Sequence, residues 1–470
     1  MIMKKTNKIL IVSFLVLSYT LLVSSCADEF LDKRKDKSQI VPETLDDVQL
    51  LLDNNVQNFG STPGLPTIAA DEFFTDQAVL SSLEIYERNS YTWAKDFYEG
   101  TIFNLDWTNP FQQIFYANTV LDILSEIKES SKESSTRGLN LQGAALFHRS
   151  YAFYNLAQLF AENYLPSFND QAPGIPLKLT GNIHEPLTRA SLKDTYARII
   201  SDLKLADNLL PSEVENLTRP SKVSAKALLA RIYLSISDYH NALKYAQQAM
   251  PTLSLLDYSE IDTTNTIKNL FPAALPKENP EIAFYSVSTG YYFPVYNSRV
   301  MVDSLFYEDY EKGDLRKIIF FRKLANSKNV VFRGSYSSIH TSEYFSGLAL
   351  DELLLIQAEC LARTGKGKQA IQVLNSLRRA RFSKGEYEDL QWQSDQETLS
   401  LVLQERRKEL FARGLRLSDL KRLNREDQFK KTLIRNLDGK ELVLEPDDPR
   451  YIFPIPSDEI QRHGFVQNNR

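Results

Sequence analysis

The sequence predicts a mostly α-helical protein, with paired helices as scaffold, a loop-rich insertion and few short strands. Three observations predict it. Long stretches repeat apolar residues at helical spacing behind recognisable caps. Two segments, 220–250 and 351–382, alternate small and large residues as closely packed helix pairs do. Between them, 251–348 carries Pro, Gly and clustered aromatics and no long periodic run.

The elements follow in order. Lys4, Lys5 and Lys8 precede an apolar stretch from Ile9 to Val23. At about 15 residues it has the size of a signal h-region and is short for a membrane span. "LVSSC" then sets small residues directly before Cys26, which resembles a bacterial lipoprotein signal cut before the cysteine. The thiol would carry diacylglycerol as a thioether, and the new terminus would be acylated with a fatty acid such as palmitate. Two or more chains give stable anchoring, at about 0.8 kcal/mol per buried methylene. Residues 1–25 thus read as a signal peptide and 26–40, "CADEFLDKRKDKSQI", as a lipidated polar tether.

"PETLDDVQLLLDN" (42–54) begins a helix, with Thr44 as N-cap and Asp47 at N3. A loop-rich region runs from Gly60 to about residue 106 and holds Tyr86, Tyr91, Trp93, Phe97, Tyr98 and Phe103. Helical periodicity returns at 106–130 and 139–164, the first opening on Trp107, assigned to the core. "PSFNDQAPGIPLKLTGNIHEP" (166–186) is loop, and 191–211 is a helix capped by Ser191 and stopped at Pro211. In 220–250, Ala230 and Tyr233 precede a turn near Ser237–Asp238, followed by Ala242, Ala246 and Ala249. That spacing resembles a tetratricopeptide (TPR) unit. A second such unit, 351–382, has Ala358, Leu361, Ala370, Leu374 and Leu377 at equivalent offsets. The two lie too far apart in sequence to predict a contiguous array. Inside 251–348, "IAFYSV" and "NVVFRGSYS" are candidate short strands, and the C-terminal "RYIFPIPSDEIQRHGFVQN" is expected to pack back on the helices.

Composition narrows the function classes. The chain has 55 Lys and Arg against 60 Asp and Glu, a net charge of −5, with no strongly basic patch; nucleic acid is not the expected partner. Removing residues 1–25 takes the basic count to 52 against 60 acids, so lipid rather than charge would hold the body at a membrane. Two cysteines make no disulfide framework, and Cys360 reads as a small buried hydrophobe. The five histidines (148, 184, 240, 340 and 463) are dispersed, and none sits in HExxH or beside a cysteine. His148 reads as a helix residue rather than a ligand. "TGKGKQA" (364–370) lacks phosphate-loop spacing and falls at the turn of the second helix pair. No GxSxG elbow or CxxCH site is present. No catalytic residue, metal ligand or cofactor is assigned.

A binding site needs only aromatic faces beside polar groups on a rigid scaffold. Sugar rings stack their C–H faces on Trp and Tyr, while Arg, Asn and Asp bond the hydroxyls. Two loops qualify: Trp93 with Asp96 and Tyr98, and "GYYFPVYNSR", which supplies Tyr291, Tyr292, Tyr296, Asn297 and Arg299. These eight residues are the candidate ligand contacts.

Several segments together resemble the SusD/RagB outer-membrane nutrient-binding lipoproteins of Bacteroidetes. "CADEFLD" resembles the mature start, with acids behind the cysteine that look like a surface-export signal. "WTNPFQQIFYANTVL" and "RASLKDTYARIISDLKLADNLLP" resemble two of the family's helices. "QERRKELFARGLRLSDLKRL" (404–423) resembles its ERR-x-EL…G…R…DLxR pattern through Glu405, Arg406, Arg407, Glu409, Leu410, Gly414, Arg416, Asp419, Leu420 and Arg422. "YIFPIPSDEI" (451–460) resembles its PIP motif. Leu415, Leu417 and Ser418 stand where the pattern has His, Trp and an aromatic, and Arg413 where it has an acid. Glu405 and Glu409 share a helical face within reach of Arg406 and Arg413. They are expected to form a helix-to-helix salt-bridge and capping network, which the resemblance also implies, each exposed pair contributing about 0.3–0.5 kcal/mol.

The resemblance implies a SusD-like domain over 41–470: a helical part 41–250, the insertion 251–348 and a helical part 349–470. It implies ligand contacts from non-helical insertions and a SusC-like TonB-dependent transporter as partner. The expected function is capture of an oligomeric nutrient at the outer surface without catalysis. Glycan is preferred to peptide on the family's record alone. A surface glycoside hydrolase or peptidase, and a TPR-type protein adaptor, are the alternatives.

Overall fold

Thr44 starts a helix for the reason its context gives. Its hydroxyl accepts the Asp47 N–H (3.2 Å), and the Asp47 carboxylate accepts the Thr44 N–H (3.0 Å). Two orphan donors of the first turn are satisfied at once. The computed structural model describes residues 42–55, 59–101, 104–127, 132–265, 269–295, 298–337 and 343–470. Cys26 with its flanking signal and tether, and Phe103, Tyr296, Asn297 and His340, lie outside the described residues.

The longer helices are α1 (Leu45–Leu52), α2 (Leu105–Glu126), α3 (Lys132–Phe160), α4 (Leu192–Leu209), α5 (Lys222–Ser235), α6 (Tyr239–Ala249), α7 (Leu350–Arg363), α8 (Gly367–Arg379), α9 (Asp395–Glu409) and α10 (Arg416–Leu423). Side chains of Asn104, Ser191, Ser221, Asp238 and Ser394 cap α2, α4, α5, α6 and α9. The stretch between α1 and α2 is not only loop. It holds the short helices Leu65–Ala69, Gln77–Ser82 and Ile85–Tyr91.

Helices adjacent in sequence pack in succession: α2 on α3, α3 on α4, α4 on α5, α5 on α6. The series then continues from α6 to α7 and on to α8 and α9. The two TPR-like units are therefore neighbours in space, contrary to the expectation from their separation in sequence. The insertion allows this because its ends come together: Ile282–Phe284 pairs antiparallel with Leu348–Ala349, which leads straight into α7. Ala230, Ala242, Ala246, Ala249, Ala358 and Ala370 are all fully buried, so these helices approach without bulky side chains between them.

Inside the insertion, three short strands join one from outside it. They are β1 (Phe73–Phe74), β2 (Met301–Val302), β3 (Phe321–Lys323) and β4 (Val330–Phe332), in the antiparallel order β1-β2-β4-β3. A hairpin, β5 (Leu433–Leu437) with β6 (Lys440–Leu444), follows α10. Trp107 is core, its ring 4.8 Å from Phe111 and 4.9 Å from Phe160. Cys360 is buried. His148 stacks on Phe59 at 4.3 Å, and burial lowers its imidazole to about 3, so it is neutral. Gly365 and Gly367 form the α7–α8 turn, where the Gly367 N–H bonds Asp395 (3.0 Å). The C-terminal segment packs back on the helices through the Phe453 N–H and the Leu159 carbonyl (2.9 Å).

The charged motif is not a set of exposed local pairs. Glu405 and Glu409 are buried, and apart from Lys408 on the same helix, 3.4 Å from Glu405, their cations come from other elements. Arg316, ahead of β3, reaches Glu405 (2.6 Å), Glu409 (2.7 Å) and Asp314 (2.7 Å). Arg381 joins Glu409 (2.7 Å) to Glu281 (2.9 Å), and Arg378 on α8 meets Glu405 (2.6 Å). Arg406 turns to Asp419 (2.8 Å), and Arg413 pairs with Asp351. A helical wheel cannot find such partners. Their energetics are those of buried charge, where losing one partner strands another.

Candidate functional site

The segment 290–295, with a helical turn at Tyr292–Val295, is built on two buried carboxylates. Asp106, in the first turn of α2, accepts the Tyr291 hydroxyl (2.8 Å) and the Gly64 and Leu65 N–H groups (3.1 and 2.8 Å). Glu87, on the helix Ile85–Tyr91, accepts the Phe293 N–H (2.8 Å) and the Glu84 N–H (3.3 Å). Burial pushes Asp106 up to about 6 and Glu87 up to about 7, against the pull of those bonds. Gly64 is needed here, because a Cβ would lie 2.7 Å from the Thr289 carbonyl oxygen and 2.8 Å from the Tyr291 ring. The clamp turns Tyr291 inward and leaves the next residue, Tyr292, 59% exposed.

Beside it, Arg299 grips Asp76 with both carboxylate oxygens at 2.7 Å from one guanidinium nitrogen. Asp76 also caps the helix Gln77–Ser82 through the Val79 N–H, and the Arg299 bond chiefly lowers its carboxyl. The Thr75 hydroxyl donates to the Arg299 carbonyl (2.9 Å), and β1 pairs with β2. Residues 73–76 are thus tied to Arg299 and to β2, and Phe74, Tyr292, Val295 and Leu305 are exposed.

A groove of about 360 Å³ adjoins β1 and β5. Tyr91 and Trp93 line one wall, with the Arg435 guanidinium 3.8 Å over the Tyr91 ring and 4.4 Å over the Trp93 ring. Asp71 is on its floor. Arg416 holds the Asp71 carboxylate with two nitrogens (2.6 and 3.0 Å), while Lys431 (2.6 Å) and Arg407 (3.3 Å) approach the same group. Burial would raise Asp71, but Arg416, then Arg407 and Lys431, hold it well below the usual range. Next to it, Glu72 accepts the Ala412 N–H (2.7 Å), and burial pushes it up to about 8.

The six candidate contacts that are described fall into different places. Trp93 is 2% exposed; its indole N–H donates to the Ala69 carbonyl (2.9 Å), and Arg435 covers its face. It takes a left-handed turn (φ 51°) just past the helix Ile85–Tyr91, with the Ala94 N–H bonding back to the Asn89 carbonyl. Tyr98 is buried, and its hydroxyl donates to the Pro454 carbonyl (2.8 Å). Tyr291 is buried on Asp106. These three rings are core, a correction to their reading as stacking platforms: each hydroxyl or N–H found a partner inside the protein. Asp96 is exposed but accepts the Glu99 N–H (3.0 Å), in the loop that leads to Tyr98 rather than beside Arg299. Tyr292 and Arg299 keep access to solvent.

Sequence reading missed Asp71, Lys431 and Arg435, and placed Arg407 only within a motif. Residues meeting at Asp71 are 336 to 360 positions apart, so no local pattern marks them. Among the described residues, no group of three or more His, Cys, Asp or Glu side chains could hold a metal ion, and no helix is long and apolar enough to cross a membrane. The arrangement can bind, through exposed aromatic and apolar surface beside fixed charges.

Comparison with known proteins bears on the family and the fold. Residues 29–234 match the family model described as "Starch-binding associating with outer membrane", and 316–470 match that of the SusD family, together well over half the chain. SusD-like protein P2 of Formosa agariphila is 24% identical over 421 residues, covering 77% of this chain and 79% of the relative. A SusD superfamily protein of Bacteroides thetaiotaomicron superposes with a TM-score of 0.72 at 19% identity, covering 91% of this chain and 100% of its own. A laminarin-binding SusD-like protein superposes at 0.59 and 17% identity, covering 90% of this chain and 97% of its own. Matches at both ends of the chain and a shared fold across the middle lead to one conclusion: this protein belongs to the SusD/RagB family.

Proposed function

We propose that the protein is a lipid-anchored receptor at the outer-membrane surface. It captures an oligosaccharide without breaking bonds and delivers it to a SusC-like TonB-dependent transporter. Family membership over both ends of the chain carries this reading, supported by a fold neighbour named for binding laminarin. Cys26, behind its apolar leader, is the attachment point. The face around Tyr292 and Arg299 is the ligand surface: an exposed ring can stack on a sugar while the fixed guanidinium and Asp76 orient hydroxyls. Tyr296 and Asn297, in the same loop by sequence, belong to this proposal.

The test has two arms. Growth with labelled fatty acid should mark the protein, and Cys26→Ser should release it from membranes. Calorimetry of the soluble form from Ala27 against a set of oligosaccharides should find binding that Tyr292→Ala weakens. Substrate turnover by that form, or glycan binding indifferent to Tyr292→Ala, would refute the receptor or the site respectively.

A further inference from the structure

The groove at Asp71 holds more positive charge than its acids can neutralise. Arg407, Lys431 and Arg435 line it, with Arg416 bonded to its Asp71, against the carboxylates of Asp71 and Asp303. Asp303 is engaged in capping, accepting the Leu305 N–H (2.9 Å). Glu72, next to Asp71 in sequence, is buried, accepts the Ala412 N–H (2.7 Å) and is pushed up to about 8 by burial. One carboxylate, that of Asp71, is therefore shared by three cations. Arg416, nearly buried, takes it with two nitrogens and satisfies its charge. Arg407 and Lys431 approach it more openly, with side chains 22% and 41% exposed. Lys431 is pushed down even beside that aspartate, by burial first and by Arg407 and Arg416 as well; the local field is positive.

Phe73, Phe74, Leu433 and Ile434 also line the groove, and Phe74 and Ile434 are exposed. A guanidinium and an ammonium over a half-open cleft, flanked by aromatic surface, suit an anion carried on a ring. We propose that this groove receives the carboxylate or sulfate of an acidic oligosaccharide, with Arg407 and Lys431 as its two contacts. The inference rests on the receptor reading above and specifies its ligand as charged. On arrival the anion would share Arg407 and Lys431 with Asp71, leaving Asp71 to Arg416. No group moves far, since both cations already project into the cleft.

The test uses the soluble form from Ala27 and four probes of equal length: tetragalacturonate, a sulfated galactan tetrasaccharide, neutral laminaritetraose and tetraglutamate. Calorimetry is run at about 20 mM and about 200 mM salt, which spans strong to weak screening. At least one acidic sugar should bind, and about tenfold less tightly at the higher salt. Which of the two binds separates carboxylate from sulfate. Arg407→Gln and Lys431→Gln should each weaken it about tenfold, as expected for one charged contact. Lys431→Arg should restore binding, and Lys384→Gln, whose residue pairs with Glu260 outside the groove, should leave it unchanged. If Arg407→Gln lowers the melting temperature, the more exposed Lys431 still decides the question.

Laminaritetraose binding as tightly as either acidic sugar, with both glutamine variants silent, overturns the inference and leaves a neutral-glycan receptor standing. Tetraglutamate binding in place of every sugar overturns the sugar reading beneath it. Failure of both acidic sugars to bind below about 1 mM, where even a weak ligand would register, overturns the charged-ligand assignment.

Discussion

Replacing Glu409 by glutamine should cost far more than its place on a charged helix suggests. The Glu409 carboxylate lies between Arg316 (2.7 Å) and Arg381 (2.7 Å), and all three side chains are fully buried. Glutamine keeps the shape but removes the charge. Arg316 still has Asp314 and Glu405, and Arg381 still has Glu281. Each guanidinium nonetheless loses one short charged contact where water cannot replace it. Breaking a buried pair in this way costs about 3–5 kcal/mol. An exposed helical pair would cost about 0.3–0.5 kcal/mol, so the two descriptions differ roughly tenfold in energy. Urea unfolding of the soluble form, followed by circular dichroism with the slope checked for two-state behaviour, measures the difference. A loss below about 1 kcal/mol would refute the claim that this cluster is desolvated. Adding Arg381→Met to Glu409→Gln should not double the loss, since the second change removes a charge that the first had left under-compensated.

Other measurements address separate parts of the structure. Burial would raise Glu359, but Arg422 and then Arg363 hold it down at about 2, below its ordinary 4.5. That stability is present above pH 4.5 and is lost as pH falls towards 2, amounting to about 3 kcal/mol; Glu359→Gln should lose it already at pH 7 and flatten the acid limb. Glu72 has the opposite sign: burial raises it from 4.5 to about 8, so its contribution is full below pH 4.5 and is lost as pH rises through 8. Glu72→Gln should therefore be more stable than the parent at pH 9 and equal to it at pH 4, as read by thermal melts. Trp93→Ala should destabilise by about 3–5 kcal/mol in urea unfolding, because it empties a buried site. Tyr292→Ala should instead shift stability by no more than about 0.5 kcal/mol and weaken ligand binding.

Helical elements were legible because capping and periodicity are local. Thr44, Ser191 and the buried alanines of α5–α8 stand where their sequence context places them. Contiguity of the helix pairs was not legible, because it depends on the insertion closing through the pairing of Ile282–Phe284 with Leu348–Ala349. Family motifs identified the fold and a charge network between helices, but the sequence does not show that this network is buried, because that depends on partners from the insertion and beyond α8, Arg316 and Arg381. At the candidate face, loop position and aromatic character singled out segments and could not sort their residues into buried and exposed. Tyr291 and Tyr292 are adjacent and chemically identical; only Asp106, contacting one of them, decides which turns in.

The same cluster constrains how a ligand could be enclosed. Glu281, Asp314 and Arg316 belong to the insertion that carries the Tyr292 loop, while Arg378, Glu405 and Glu409 belong to α8 and α9, with Arg381 just beyond α8. The buried ion pairs join these parts by several short contacts, reinforced by the Tyr336 hydroxyl on Glu281 (2.7 Å). Swinging the insertion away from the helices would strand those charges, at several kcal/mol for each broken pair. Ordinary ligand affinities could supply only part of that. Any closure over a ligand would therefore have to leave this junction intact, with the insertion and helical array moving together as one body. Cysteines placed at Ser376 on α8 and Ser304 beside β2, carrying spin labels after Cys360→Ala, would test this. Their distance distribution should be the same with and without ligand, and a ligand-dependent shift would show that the ionic junction opens.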